Sequence, residues 1–232
     1  MLKIQSDFKK LTDVKRAKIK ARFFKTGLGQ YAEGDKFIGV TVPQTRLIAR
    51  KYEHLDTKDF ATLIKSPIHE ERLCALLILV NQFERGDSKT RDKIFKFYLA
   101  NTAYVNNWDL VDLTADKIVG AYLGNKEKDI LFKLAKSKNL WEKRISIVAT
   151  FHLIKSGEPK YTLRIAKILM RDNHDLIHKS VGWMLREVGK RCSEKTLTNF
   201  LDQYADTMPR TMLRYAIERF PQKKRLKYLV RN

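Results

Sequence analysis

A repeat of 33 to 36 residues is the feature that most constrains the fold of this chain. Five short runs recur in apolar helical segments, and their first residues lie 36, 35, 36 and 33 positions apart: Glu71-Arg72-Leu73, Asn107-Trp108-Asp109, Glu142-Lys143-Arg144, His178-Lys179-Ser180 and Thr211-Met212-Leu213. Each block also holds a more basic helix, such as residues 126–138 or 160–171. Two helices per unit at this period are typical of an α-solenoid of HEAT-like repeats.

The spacing of the apolar residues favours helices almost throughout the chain, and we expect no sheet. Apolar positions recur mostly at three and four, and only 10 Gly and 5 Pro interrupt them. We predict a first helix from about Ser6 to Lys25, then a polar, Gly-bearing loop over residues 26–35. Pro43 suits the first turn of a helix that ends near Lys51.

The predicted architecture is therefore a single all-α domain over residues 1–232. Residues 1–53 supply N-terminal helices and the polar loop, and residues 54–232 supply stacked helical pairs. A curved solenoid has a concave face that is lined by one helix of each pair. Basic side chains on these helices predict a positively charged concave face.

The net charge of +21 at pH 7 exceeds what solubility requires and predicts an anionic partner. Nucleic acid is the first choice, ahead of an acidic membrane surface. We expect phosphate contacts among nine cations on or near the repeated helices. These are Lys65, Arg72, Lys143, Arg144, Lys179, Arg186, Lys190, Arg210 and Arg214.

Cysteine usage and hydropathy predict an intracellular, cytoplasmic protein. Cys74 and Cys192 are far apart in sequence and form no CxxC pair. The basic N-terminal segment has no apolar core of a secretory signal, and the longest apolar run, Leu73 to Val80, is too short to span a bilayer. We expect no membrane partner, and association with the nucleoid when the protein binds DNA.

The run from Asn107 to Asp116 contains the residues best suited to chemistry. In a helix, Trp108 and Asp112 share one face, because they are four positions apart. An aromatic ring beside a carboxylate suits a cation such as an alkylated purine nucleoside, whose sugar becomes positively charged when the base departs. A buried packing role for Trp108 and a surface role for Asp112 remain open. Asp109 is predicted to act as a cap or orienting acceptor, and Asp116 to pair with a neighbouring Lys or Arg.

Other constellations in the sequence are weak. Gly27, Gly29 and Gly34 lack the GK[ST] sequence and the preceding strand of a phosphate-binding loop. His174 and His178 could share a helix face, but no third ligand accompanies them, so we expect no metal. No lysine lies in a helix-hairpin-helix context that would suggest Schiff-base chemistry.

Several runs together resemble the AlkD family of HEAT-like DNA alkylation-repair glycosylases. The resemblance covers nearly the whole chain, and its W-D-x-x-D and G-W-x-L-R-E motifs are specific as a pair. The matching segments are Gly39-Val40-Thr41-Val42-Pro43-Gln44-Thr45-Arg46, Asn107-Trp108-Asp109-Leu110-Val111-Asp112, Trp141-Glu142-Lys143-Arg144 and Ser180-Val181-Gly182-Trp183-Met184-Leu185-Arg186-Glu187.

The resemblance implies a monofunctional glycosylase that excises cationic N3- and N7-alkylpurines from double-stranded DNA without burying the base in a deep pocket. Asp112 matches the catalytic carboxylate, which stabilises the cationic sugar and orients the attacking water. Trp108 and Trp183 match aromatic residues that contact the backbone of the lesion nucleotide, with Arg144 beside them. The candidate site also includes Asp109 in support, Arg186 and Lys179 as DNA contacts, and Tyr31 as the counterpart of a family tyrosine. We expect a monomer that needs no cofactor.

Two other functions remain open from the sequence. A HEAT-repeat module could bind structured DNA or RNA without catalysis, and it would show binding without base release. A scaffold for an acidic protein would prefer that protein to DNA at matched salt. The pairing of Trp108 with a carboxylate argues against the scaffold, which has no use for it.

Overall fold

The computed structural model describes residues 2–230 and confirms the all-α prediction. Within that range the only extended pairing is an isolated bridge between Lys36 and Ile68. Residue contacts divide the chain after Thr114 into two compact units. The prediction of one continuous domain stays a prediction.

The first unit contains seven α-helices and one turn of 3-10 helix at Thr102–Tyr104. Its longest helix, α5, is apolar over most of its length and buries 13 of its 17 residues, so the core of the unit lies around it. The helices are α1 (Lys3–Lys10), α2 (Val14–Phe23), α3 (Val42–Lys51), α4 (Thr57–Ile64), α5 (His69–Arg85), α6 (Ser88–Ala100) and α7 (Trp108–Asp112).

The second unit begins with a π-helical segment, Asp116–Gly120, and continues with nine α-helices. Asp116 in this segment pairs with Lys117 and with Lys155, at 3.3 and 2.9 Å, which confirms its predicted ion pairing. The helices are α8 (Ala121–Leu123), α9 (Asp129–Ala135), α10 (Leu140–Ala149), α11 (Phe151–Lys155), α12 (Lys160–Leu169), α13 (Asp175–Arg191), α14 (Glu194–Tyr204), α15 (Arg210–Ala216) and α16 (Gln222–Leu229).

Repeated helical pairs organise the second unit. The apolar helices α10, α13 and α15 carry the last three of the repeated sequence runs, and α13 packs against both of the others. The helices α9, α12 and α14 pack against this row. Stacked pairs of this kind are those of an α-solenoid, as the period predicts.

The single first helix predicted from Ser6 to Lys25 is wrong, because the chain breaks after α1. Asp13 begins α2 by accepting a hydrogen bond from the backbone N–H of Arg16, while its own N–H donates to the carbonyl of Ile38 at 2.9 Å. An aspartate cap and a tertiary hydrogen bond thus replace the continuous helix that the apolar spacing favours. The resulting α2 contains no buried residue.

The predicted loop extends on both sides of residues 26–35, from the end of α2 to Thr41. Gly39 is required where this segment meets the start of α2. It has φ of +83°, and a Cβ there would lie 2.1 Å from the carbonyl oxygen of Asp13. Pro43 then lies in the first turn of α3, as predicted, and Thr41 and Gln44 form a capping box.

Among residues 2–230, no helix combines the length and the apolar character needed to cross a bilayer.

We expect Gly182→Ala to lower the free energy of unfolding by about 1–3 kcal/mol, although alanine is the better helix former. A Cβ at Gly182 in α13 would lie 2.4 Å from the carbonyl oxygen of Met212 in α15, and a backbone carbonyl cannot move aside cheaply. Urea unfolding measures the change. Gly27→Ala is the matched control, because its Cβ would meet only the flexible side chain of Gln30. Equal stability of the two variants would contradict close packing of α13 on α15.

Candidate active site around helix α7

The short helix α7 leaves two predicted site residues accessible and buries the residues between them. Asn107 begins the helix, and its Oδ1 accepts the backbone N–H of Trp108 at 2.8 Å. Asp109, Leu110 and Val111 are buried, whereas Trp108 and Asp112 are only half-buried. An indole and a carboxylate thus lie one helical turn apart on the accessible side of α7.

A stack of aromatic rings supports Trp108 from the N-terminal part of the chain. The ring of Phe24 stacks on Trp108, with centroids 5.1 Å apart, and Phe37 stacks on Phe24 at 4.9 Å. Phe37 in turn stacks on the imidazole of His69 at 4.5 Å. Phe23 meets Trp108 edge to face at 6.0 Å and is 64% exposed, so it extends the aromatic surface into solvent.

His69 ends this aromatic stack and lies between two carboxylates. Its Nδ1 is 3.2 Å from Asp35 and its Nε2 is 2.9 Å from Asp109, while the side chain is 1% exposed. Burial alone would lower the pKa of His69, but the charge and hydrogen bond of Asp109 and the hydrogen bond of Asp35 outweigh it and raise the pKa. A carboxylate at each nitrogen can accept a hydrogen bond from it, which favours the imidazolium form of His69.

Asp35 joins this group to the polar loop. It also accepts hydrogen bonds from Arg72 at 2.7 Å and from the amide of Asn107 at 3.3 Å. Burial opposes ionisation of Asp35, but His69 and Arg72 hold the pKa of this carboxyl below its usual value. Two carboxylates and two cations therefore balance each other in the interior and connect the loop, α5 and α7.

The next residues of α5 anchor the N-terminal helices in the same way. Glu70 is fully buried and accepts the backbone N–H groups of Ile38 and Gly39, at 3.1 and 3.0 Å, and the ammonium group of Lys20 at 3.0 Å. Glu71 accepts hydrogen bonds from Gln5 and Ser66. Four consecutive buried polar residues at the start of α5 thus hold α1, α2 and the segment before α3.

Arg72 is therefore not available for the phosphate contact that its place in the repeat suggested. Its side chain is 4% exposed, and it donates to Asp35 and to the carbonyl of Ser66. An arginine buried against a carboxylate serves folding and not phosphate binding. Asp109, by contrast, has the acceptor role expected of it, since it accepts from His69 and from the N–H of Leu110.

The other predicted site residues lie in the second unit. Arg144 on α10 is 5% exposed and donates to the carbonyl of Leu176 at 2.5 Å, which fixes the start of α13. On α13, Trp183 is half-buried beside Phe151, Lys179 pairs with Asp175, and Arg186 pairs with Glu218 and Glu187. Contacts of these four residues with DNA stay predictions.

Phe23 and Phe24 are the site residues that the sequence analysis missed. The predicted aromatic neighbour, Tyr31, is half-buried in the loop, and its role stays a prediction. The sequence does contain a signal for them, which is two adjacent phenylalanines at the end of a basic helix. Adjacent residues of a helix point in different directions, so one of the two rings must lie at the surface.

The histidine pair of α13 serves the backbone. Nδ1 of His174 accepts the N–H of Leu176 at 3.1 Å, and Nε2 of His178 lies 2.5 Å from the carbonyl of Asp172. Within residues 2–230, no group of three or more His, Cys, Asp or Glu residues could hold a metal ion.

Comparisons with known proteins give a match to one family model and a likeness to a solved structure. The model of a family described as DNA alkylation repair enzyme matches residues 4–220. A solved structure entitled "Predicted DNA alkylation repair enzyme from Enterococcus faecalis" is similar with a TM-score of 0.69 and 14% identity, over 91% of this chain and 97% of that chain. At this identity the likeness shows the fold alone. The comparison with curated proteins gives no match.

We expect the stabilising effect of His69 to depend on pH. Its folded pKa lies above the ordinary value of 6.5, so its contribution is complete below that value and disappears as the pH rises through the folded pKa. The difference in urea midpoint between wild type and His69→Gln should therefore shrink as the pH is raised from 6 to 9. His54→Gln is the control, because His54 is 92% exposed. A difference that is constant with pH would contradict a charged His69.

Proposed function

The chain belongs to the DNA alkylation repair enzyme family, and we propose that it is a glycosylase that hydrolyses the N-glycosidic bond of cationic N3- and N7-alkylated purines in duplex DNA. In this proposal it is a monofunctional hydrolase that acts as a monomer, without metal or cofactor, in the cytoplasm. The net charge of +21 supports DNA as the partner, because cations that replace the counterions of phosphates dominate the affinity for DNA.

The observation that carries this proposal is the accessible side of α7. Of the residues in this helix, the half-buried ones are Trp108 and Asp112, and the aromatic rings of Phe23 and Phe24 flank the indole. Aromatic faces attract a cationic base or sugar, and a carboxylate one turn away stabilises positive charge that develops beside it. A module that only binds DNA gains nothing from a carboxylate at this position, since it repels phosphate.

The reaction follows from the charge of the substrate. An alkylated purine already carries a positive charge, so the bond from C1′ to the base nitrogen breaks with its electron pair moving to the base, which leaves neutral. The sugar is then a cation of oxocarbenium character, and Asp112 stabilises it. Water adds to C1′ and loses a proton, with Asp112 as the acceptor. The products are free base and an abasic site.

The residues of the second unit have supporting roles in this proposal. Trp183, Arg186 and Lys179 would contact the DNA near the lesion, and Tyr31 would approach it from the loop. Trp183 has a half-buried ring suited to such a contact. Arg144 would act through the position it gives to α13, because its guanidinium is engaged with Leu176.

We expect Asp112→Asn to lower the single-turnover release of N7-methylguanine and N3-methyladenine from duplex DNA by about 100-fold or more, after subtraction of spontaneous depurination. The amide keeps the shape of the side chain but removes the charge that stabilises the sugar cation. Binding of the same duplex should be unchanged or tighter, because a negative charge near the phosphates is removed.

The control for this variant is Asp206→Asn, which removes an exposed carboxylate elsewhere in the chain and should leave release unchanged. Undiminished release by Asp112→Asn would refute the role of this carboxylate. Salt-sensitive duplex binding with no release by the wild type would favour the non-catalytic module instead.

We expect Phe23→Ala to lower base release by about tenfold, because an aromatic contact with a nucleobase contributes about 1–3 kcal/mol. Phe23 is largely exposed, so its removal should leave the urea midpoint nearly unchanged. Leu28→Ala is the matched control: Leu28 is 93% exposed in the adjoining loop and has no ring to stack. Equal effects of the two substitutions would show that Phe23 contributes only general apolar surface.

A further inference from the structure

The second unit has two rows of helices, and the candidate DNA contacts lie on only one of them. Arg144, Lys179, Trp183 and Arg186 belong to α10 and α13, in the row completed by α15. The other row consists of α9, α12 and α14, which pack on α10 and α13. Nothing in the proposed function uses the second row.

A large cavity crosses this second row and includes the C-terminal ends of its helices. It has a volume of about 1210 Å³ and is lined by residues of α9, α12 and α14 and of the turns that follow them. A neighbouring cavity of about 370 Å³ shares Arg164, Lys167, Gln203 and Tyr204 with it, so the two form one continuous depression. We call this depression the outer groove.

The outer groove concentrates unpaired positive charge. Asp129 is the one carboxylate that lines it. Four cations line it: Lys136, Arg164, Lys167 and Arg171. All four cations are exposed, and within residues 2–230 none of them forms an ion pair. The C-terminal ends of three helices lie in the groove, and each is equivalent to about half of a negative elementary charge. Together they offset only about half of the excess positive charge of the four cations over Asp129.

Aromatic rings hold two of these cations without neutralising them. The guanidinium carbon of Arg164 lies 4.3 Å from the ring centre of Phe132, and Nζ of Lys167 lies 5.4 Å from that of Tyr204. A cation–π contact restricts the side chain but leaves its charge and its N–H donors available to a ligand. The cations of the outer groove are thus partly ordered in advance for an anion.

We infer that the outer groove binds the phosphate backbone of a second nucleic-acid segment, distinct from the segment that carries the lesion. A row of cations over a cavity of this size suits successive phosphates and not a single small anion. An acidic membrane surface fits less well. The exposed large apolar side chains of the described chain, which such a surface would take up, all lie outside α9, α12 and α14.

Capture of a second duplex tests this inference. An undamaged duplex is immobilised, the full-length protein is bound to it at low salt, and a fluorescent duplex is then added. We expect wild type to retain the second duplex. The variant K136Q/R164Q/K167Q/R171Q should retain it at least tenfold less well, while its binding to the first duplex changes by less than about twofold. The salt dependence of capture should also weaken, by up to about one unit of slope for each phosphate that the variant no longer neutralises.

The matched control removes the same charge from exposed lysines elsewhere. K9Q/K58Q/K89Q/K223Q should capture the second duplex as wild type does, because these lysines lie outside the outer groove. The readout needs no base release, so failure of the glycosylase proposal would not affect it.

Four outcomes would overturn the inference. They are no capture by wild type, equal capture by the groove variant, an equal reduction in the control, and groove-dependent binding of phosphatidylglycerol vesicles in place of the second duplex. If a protein dimer bridged the two duplexes, the groove variant would still capture the second duplex. That result is the second of these outcomes. Circular dichroism and the urea midpoint of each variant exclude unfolding as the cause of reduced capture, since all eight side chains are exposed.

Discussion

The buried charges at the start of α5 are the interaction on which the first unit depends. His69, Glu70, Glu71 and Arg72 are consecutive, each at most 3% exposed, and together they contact α1, α2, the polar loop and α7. Charges in the interior are tolerated only when each has its partners, and removal of one partner costs about 3–5 kcal/mol. The loop between α2 and α3 is therefore fixed by the same groups that fix the helices.

This arrangement links the candidate site to the fold through few atoms. Trp108 owes its position to the start of α7, where Asn107 and Asp109 reach Asp35 and His69. The aromatic stack reaches the same histidine from the other direction through Phe37. Polar and aromatic contacts thus converge on one imidazolium. Trp108 and Asp112, the residues proposed to act on the substrate, are accessible. The polar and aromatic groups that orient their helix lie in the interior.

The sequence predicted those parts of the fold that depend on local spacing. The period of the helical pairs and the helix after Pro43 both follow from neighbours in the chain. The break between α1 and α2 was missed because Asp13 is held by Ile38, which lies 25 residues on. The repeat suggests Arg72 as a phosphate contact because nothing near it in sequence reveals its partner, Asp35. Phe23 and Phe24 were hidden inside a helix predicted to be continuous. The errors at Asp13 and Arg72 share one cause, which is that long-range pairing has no local signature.

Helix α2 is attached to the first unit in an unusual way, and this bears on how the protein can evolve. None of its own side chains is buried. Three residues hold it in place: Lys20, the N-cap residue Asp13, and Phe24, which follows the helix. Exposed positions of this kind tolerate substitution at a cost within about 0.5 kcal/mol. Most of α2 can therefore change from one lineage to the next without loss of the fold. Because Phe23 is carried by this helix, variation there would alter the aromatic surface beside Trp108 while the ionic interior stays constant.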